Sequence, residues 1–146
     1  MYTAMRHAGI ERPRVAVCGL NPHNGDAGNF GREEIDVIAP AIELAAIRGM
    51  PTSGPFPADT IFLKVFGAER AYDGVVTMYH DQGQIAIKLM GFDRGVSVMG
   101  GLPIPIATPA HGTAFDITQQ GRADVGATLQ AFNVAMNLAT GMRASR

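Results

Sequence analysis

Apolar and polar positions along this chain switch between a strand-like and a helix-like period, and the switches mark its elements. Arg14 to Leu20 and Gly74 to Met78 are short apolar runs rich in β-branched residues, and both predict strands, the second of them buried. Thr52 to Phe56 predicts a short extended piece and Gly95 to Met99 a further strand. The prolines of Gly101 to Pro109 permit only an edge strand or an extended loop. Helical spacing appears between these runs. Residues 1–13 read as a helix running into Gly9 and Pro13, and Ile35, Ile38, Ile42 and Ala46 predict a buried stripe behind the acidic start Arg32-Glu33-Glu34, with Pro40 expected to kink it. A helix is predicted from Asp81 to Met90. Another runs from about Val125 to Thr140, with Leu129, Phe132, Met136 and Ala139 as its apolar face and Gly141 placed to end it. Strands alternating with helices predict an α/β chain.

That pattern directs attention to Tyr79-His80-Asp81-Gln82-Gly83-Gln84-Ile85-Ala86-Ile87-Lys88, which follows the Gly74 to Met78 run directly. Open α/β sheets place their ligand sites at the carboxyl ends of strands, and this stretch supplies an imidazole, a carboxylate, an amide and an amine there. Lys88 follows Asp81 by about two helical turns on the same face. His23 leaves the Arg14 to Leu20 run in the same way, so the two imidazoles are candidates to share a divalent metal, with a third protein ligand needed from elsewhere. Other readings stand beside these. A histidine next to an aspartate also occurs in surface loops and satisfied cores. Asp59 or Thr60 fits a cap for a turn over Ile61 to Lys64 as well as a functional carboxylate. His111-Gly112-Thr113-Ala114 fits a turn capped by Thr113 as well as a phosphate-approaching cofactor loop.

Composition narrows the class. With 146 residues, 47% hydrophobic and 17% charged, the chain has the balance of one ordinary globular domain. A net charge of −1 leaves no basic stripe for a nucleic-acid backbone. No apolar run has the length of a bilayer span and the first residues lack a signal-peptide core, so no membrane association and a cytoplasmic location are expected. Cys18, the only cysteine, excludes an intrachain disulfide and a Cys-rich zinc site, and reads as a small buried strand residue.

Several motifs carry a family resemblance. Cys18-Gly19-Leu20-Asn21-Pro22-His23-Asn24-Gly25, Phe30-Gly31-Arg32-Glu33-Glu34-Ile35-Asp36, Gly54-Pro55-Phe56-Pro57-Ala58-Asp59-Thr60, Met78-Tyr79-His80-Asp81-Gln82-Gly83, Gly101-Leu102-Pro103 and His111-Gly112-Thr113-Ala114 closely resemble, in that order, the 4-hydroxythreonine-4-phosphate dehydrogenase family. The resemblance runs from about Arg14 to Asn137 and corresponds to the C-terminal portion of that family. It implies a three-layer sheet with helices on both faces, like the isocitrate and isopropylmalate dehydrogenases. It also implies oxidation and decarboxylation of a phosphorylated hydroxy acid with NAD or NADP and a divalent metal such as Zn, Mg or Co. By the same resemblance His23 and His80 fall on metal ligands, and Lys88, Asp81 and Asp59 on catalytic positions. Lys88 and Ser97 fall on substrate contacts, and His111, Gly112, Thr113, Ala114 and Asp116 on the cofactor loop.

The resemblance further implies a homodimer acting on a small phosphorylated substrate, and an N-terminal portion, carrying the third metal-binding histidine, that this chain lacks. By itself the chain is therefore expected to turn over poorly and to depend on self-association. Ser97 and Ile106 stand where the vitamin-pathway members have an asparagine and an arginine. Losing a bidentate anion partner at Ile106 points to D-threonate or D-erythronate 4-phosphate as an alternative to 4-hydroxythreonine 4-phosphate. A non-catalytic binding and dimerising module is the alternative of a different class.

Overall fold

The computed structural model describes residues 1–68 and 70–144, which form two compact units. One is essentially Arg12–Ala86; the other joins Thr3–Glu11 to the chain from Ile87 onward.

The first unit is built on β1 (Val15–Cys18), every residue of which is buried. It lies between β2 (Thr52–Phe56) and β3 (Gly74–Val76), and both pairings are parallel. Successive side chains of a strand point to opposite faces. Ala16 and Cys18 pack on one side against Ile61 of α3 (Ile61–Phe66), joined by Phe56, Phe62, Tyr72 and Val75. Val17 packs on the other against Ile38 and Ile42, joined by Val76 and Met78. Helices therefore cover both faces, the three-layer arrangement the α/β class implies. β3 is shorter and only half-buried, not the fully buried run expected over Gly74 to Met78.

The helix after β1 differs from its predicted form. It opens as a wide π-helical turn, Glu34–Ile38, and continues as α2 (Ala39–Ile47). Pro40 is the second residue of α2, directly after the π-helical turn, so the missing N–H falls where the helix changes its hydrogen-bond spacing. The buried stripe is Glu34, Ile38 and Ile42, spaced by four, while Ile35 and Ala46 are exposed. Thr60 precedes α3 without capping it; its hydroxyl reaches the Pro57 carbonyl at 3.5 Å, so the capping role expected of Asp59 or Thr60 is not observed.

In the second unit, β4 (Val96–Met99) and β5 (Ile106–Pro109) form an antiparallel pair, with Val96 opposite Pro109 and Met99 opposite Ile106. The proline-rich run thus does supply an edge strand. α5 (Gly126–Ala144) packs on both strands, and it presents the face opposite to the predicted one. Ala127, Ala131 and Leu138 are buried, whereas Leu129, Phe132 and Met136 are 57%, 62% and 55% exposed. Gly141 does not end the helix. A Cβ at that position would run into the carbonyl oxygen of His7, at the end of α1 (Tyr2–His7), so the glycine is where the two backbones meet. The remaining helix, α4 (His80–Gly91), begins in the first unit and ends in the second.

Candidate active site

β1 and β3 are neighbours pointing the same way, so their carboxyl ends open on one edge of the sheet. His80 is the first residue of α4, just past β3. Its Nδ1 lies 2.7 Å from Asp81 Oδ1. A carboxylate oxygen accepts, so this contact assigns Nδ1 as the donor and leaves Nε2 outside it. Both side chains are exposed.

His23 follows the carboxyl end of β1 in an unusual turn. The segment Pro22–Gly28 is a tight turn in which His23, Asn24, Asp26 and Ala27 all have positive φ, from 43° to 60°. Left-handed backbone costs a non-glycine residue about 1–2 kcal/mol, and such strain persists only where the surroundings enforce it. Asn24 Oδ1 adds to the cost by being buried without a hydrogen-bond partner. The imidazole of His23 packs against Phe30, with ring centroids 6.0 Å apart.

Glu34 enforces the turn. Its side chain is 3% exposed, and Oε1 accepts from the backbone N–H groups of Leu20 and Asn21, each at 2.7 Å. Oε2 accepts from Asn21 Nδ2 at 2.9 Å. Gly25, at φ 81°, is required here, since a Cβ would lie 2.6 Å from Oε2. Burial raises the carboxyl pKa, but the hydrogen bonds from Asn21, from Glu34's own amide and from Leu20 outweigh it and hold the group below its ordinary range. The sequence pattern showed only an acidic residue at a helix start. Its one other signal was falling in step with Ile38 and Ile42.

Gln82 was likewise passed over. Its Nε2 donates to the Gly19 carbonyl at 3.0 Å and its Oε1 accepts from the Met78 N–H at 2.8 Å, so one side chain joins the ends of β1 and β3. At the opposite end of the same strands, Arg14 binds both carboxylate oxygens of Asp73 at 3.1 Å and the Arg70 carbonyl at 2.7 Å. The Arg14 side chain holds the Asp73 carboxyl below its usual range.

The other predicted site residues are exposed and uncommitted in varying degree. Asp59 lies between β2 and α3 and makes no side-chain hydrogen bond or ion pair among the described residues. Lys88 is exposed on α4, and Ser97 is exposed on β4 opposite Thr108. His111 Nδ1 contacts the carbonyl of Gly112 at 2.8 Å. Thr113 caps nothing; Ala114, in left-handed conformation, precedes the short turn Phe115–Ile117 that holds Asp116. A Cβ on Gly112 would meet nothing within 4 Å, so this loop is open to a ligand's approach. Among the described residues no group of three or more His, Cys, Asp or Glu is placed to hold a metal ion. The imidazoles of His23 and His80 are suitable donors in kind and insufficient in number.

The family model described as Pyridoxal phosphate biosynthetic protein PdxA matches residues 1–135. The chain belongs to the PdxA family. Within it, the chain is 72% identical over 135 residues to a putative 4-hydroxythreonine-4-phosphate dehydrogenase 2 of Pseudomonas aeruginosa, covering 92% of this chain and 40% of that protein. It is 46% identical over 137 residues to the D-threonate 4-phosphate dehydrogenase of Salmonella typhimurium, covering 94% of this chain and 41% of that one. The crystal structure of a 4-hydroxythreonine-4-phosphate dehydrogenase from Klebsiella pneumoniae superposes with a TM-score of 0.79 at 40% identity, over 94% of this chain and 41% of that chain. This PdxA-family chain therefore spans about two-fifths of the length of the relatives it matches. Among its described residues no helix is long and apolar enough to cross a membrane.

Proposed function

We propose that this chain supplies metal-, substrate- and nicotinamide-binding elements of a cytoplasmic, homodimeric dehydrogenase. The reaction is oxidation and decarboxylation of a phosphorylated hydroxy acid, by default 4-hydroxythreonine 4-phosphate in pyridoxal phosphate biosynthesis. The observation that carries the proposal is that His23 and His80 leave the carboxyl ends of adjacent parallel strands in a PdxA-family chain. In this reading the two histidines hold a zinc, magnesium or cobalt ion together with a ligand from outside the chain. When bound, such an ion polarises the substrate hydroxyl and the ketone that follows.

The chain's own residues do the rest. Asp81 fixes the ring and tautomer of His80. Lys88 delivers a proton to the carbon from which the carboxylate departs, Asp59 contributes a carboxylate near the reacting centre, and Ser97 contacts the substrate. The open loop His111 to Ala114, with Asp116, receives NAD or NADP. An assay of NADH absorbance with 4-hydroxythreonine 4-phosphate, with and without chelator, tests this reading. Metal-dependent turnover that His80→Ala reduces at least a hundredfold is the expected outcome, and turnover indifferent to both His23→Ala and His80→Ala defeats it.

A second reading has specific support. Ile106 provides no charge for an anion, and Ser97 replaces an amide, so D-threonate or D-erythronate 4-phosphate becomes the substrate. Side-by-side turnover of the three compounds decides between them. The two-histidine half-site also supports a non-catalytic module. Light scattering after size exclusion, paired with an NAD reduction assay, separates that module from the enzyme: a dimer without turnover favours it.

A further inference from the structure

We infer that Glu34 and Gln82 act together as a positioning brace, setting the turn that carries His23 against the strand end that carries His80. The functional meaning rests on the metal reading above; the brace itself rests on side-chain geometry. At the exit of β1, three successive residues are held by two side chains. Gln82 Nε2 takes the carbonyl of Gly19, and Glu34 Oε1 takes the N–H groups of Leu20 and Asn21. The far oxygen of the Gln82 amide takes the N–H of Met78, two residues before His80. A continuous path therefore runs from the Glu34 carboxylate through Gly19 to Asn21, across Gln82, and into the end of β3.

The chemistry of the two residues suits the task. Glutamine has a donor and an acceptor at the end of one side chain, so it ties a carbonyl on one strand to an amide on the next. A carboxylate has acceptor capacity for two backbone amides and a side-chain amide at once, which is what Glu34 receives. The turn beyond Asn21 is left-handed over several non-glycine residues and would relax if its entry were released. Both side chains act on backbone, two to four residues from the histidines, and neither touches an imidazole. They are positioning residues.

The test compares Gln82→Met, Glu34→Ala, Glu34→Gln and His23→Ala in this chain, with cobalt(II) as the metal probe. Affinity is read by calorimetry and visible absorption, and amide hydrogen exchange is read by NMR on the metal-free protein. Gln82→Met is expected to weaken cobalt binding about tenfold, because releasing the two strand ends loosens the placement of both imidazoles. It should also speed exchange at Leu20 and Asn21, amides that Glu34 holds and Gln82 does not touch. Glu34→Ala should do the reverse at Met78, and Glu34→Gln, which retains an oxygen for the two amides, should recover most of the affinity. Unchanged exchange at the far end of the path overturns the brace regardless of the metal. Cobalt affinity lost in His23→Ala but retained in Gln82→Met and Glu34→Ala also overturns it while leaving the metal reading intact. Affinity retained in His23→Ala removes the metal reading alone, and the exchange data then decide the brace. If Glu34→Ala does not fold, exchange at Leu20 and Asn21 in Gln82→Met is decisive.

Discussion

At the exit of β1 the chain buries a carboxylate, whereas along α5 it leaves Leu129, Phe132 and Met136 largely in solvent and buries two alanines and a single leucine, Leu138, instead. Hydropathy ranks these side chains in the opposite order. In the first region two backbone N–H groups leave the ladder, and an acceptor that satisfies both is worth more than an apolar side chain in the same place. In the second, α5 meets α1 at Gly141, where no side chain fits. Close backbone approach at Gly141 selects the face that carries this glycine with Ala127, Ala131 and Leu138. In both places the demands of neighbouring backbone decided what was buried.

The largest effect is expected from Glu34→Ala, which strands the amides of Leu20 and Asn21. A fully buried unsatisfied donor costs about 1–3 kcal/mol and these two are part-buried, so a loss of about 2 kcal/mol is expected in urea denaturation. A loss under about 1 kcal/mol would mean that the left-handed turn holds itself. Next is Gly141→Val, expected to cost about 1–3 kcal/mol through overpacking against His7. Gly141→Ala sharpens the point, because helix propensity alone would stabilise by about 1 kcal/mol. Net destabilisation in thermal melts therefore reports the approach of the backbone.

A smaller effect distinguishes the polar anchors from the apolar face by pH. Glu34 and Asp73 both have depressed pKa values when folded, so their contribution is fully present above the unfolded carboxylate range, near pH 4, and is lost as pH falls through the folded values. Stability measured by denaturant from about pH 6 downward should decline, and Glu34→Gln should flatten the decline; an unaltered slope would show that the carboxylate is not titrating in this way. The smallest effect is expected on α5. Phe132→Ser and Leu129→Ser should each change the stability of the isolated chain by no more than about 0.5 kcal/mol. A larger loss, especially one that depends on protein concentration, would show that this face is covered in solution.

In the candidate site, the placement of the two histidines was legible because each follows a strand. The apolar run before His80 and the one before His23 located both histidines at strand carboxyl ends, and parallel pairing of β1 with β3 brought those ends to one edge. Asp81 next to His80 was legible as an orienting partner and is hydrogen-bonded to it. Glu34 and Gln82 were not, because their partners are backbone atoms 13 and 14 residues away for Glu34 and 63 away for the Gly19 carbonyl. No local pattern encodes which peptide group a side chain will meet. Thr60 occupies the cap position without capping, because its hydroxyl geometry depends on the turn actually formed, and Thr113 lies one residue too early, since Ala114 precedes the short turn.

The order and type of the main strands and helices and the place of Cys18 in a buried strand followed from the sequence, which limited the proline-rich run to an edge strand or an extended loop, since these rest on side-chain periodicity and on the fixed φ and missing N–H of proline. The sequence could not choose between the two faces of α5. Ala127 and Leu129 are two residues apart, about 200° around a helix, and each begins an apolar stripe of helical period. Only the tertiary structure decided between them, through the contact of His7 with Gly141, because a hydrophobic period says that a face is apolar and nothing of how near another backbone must come.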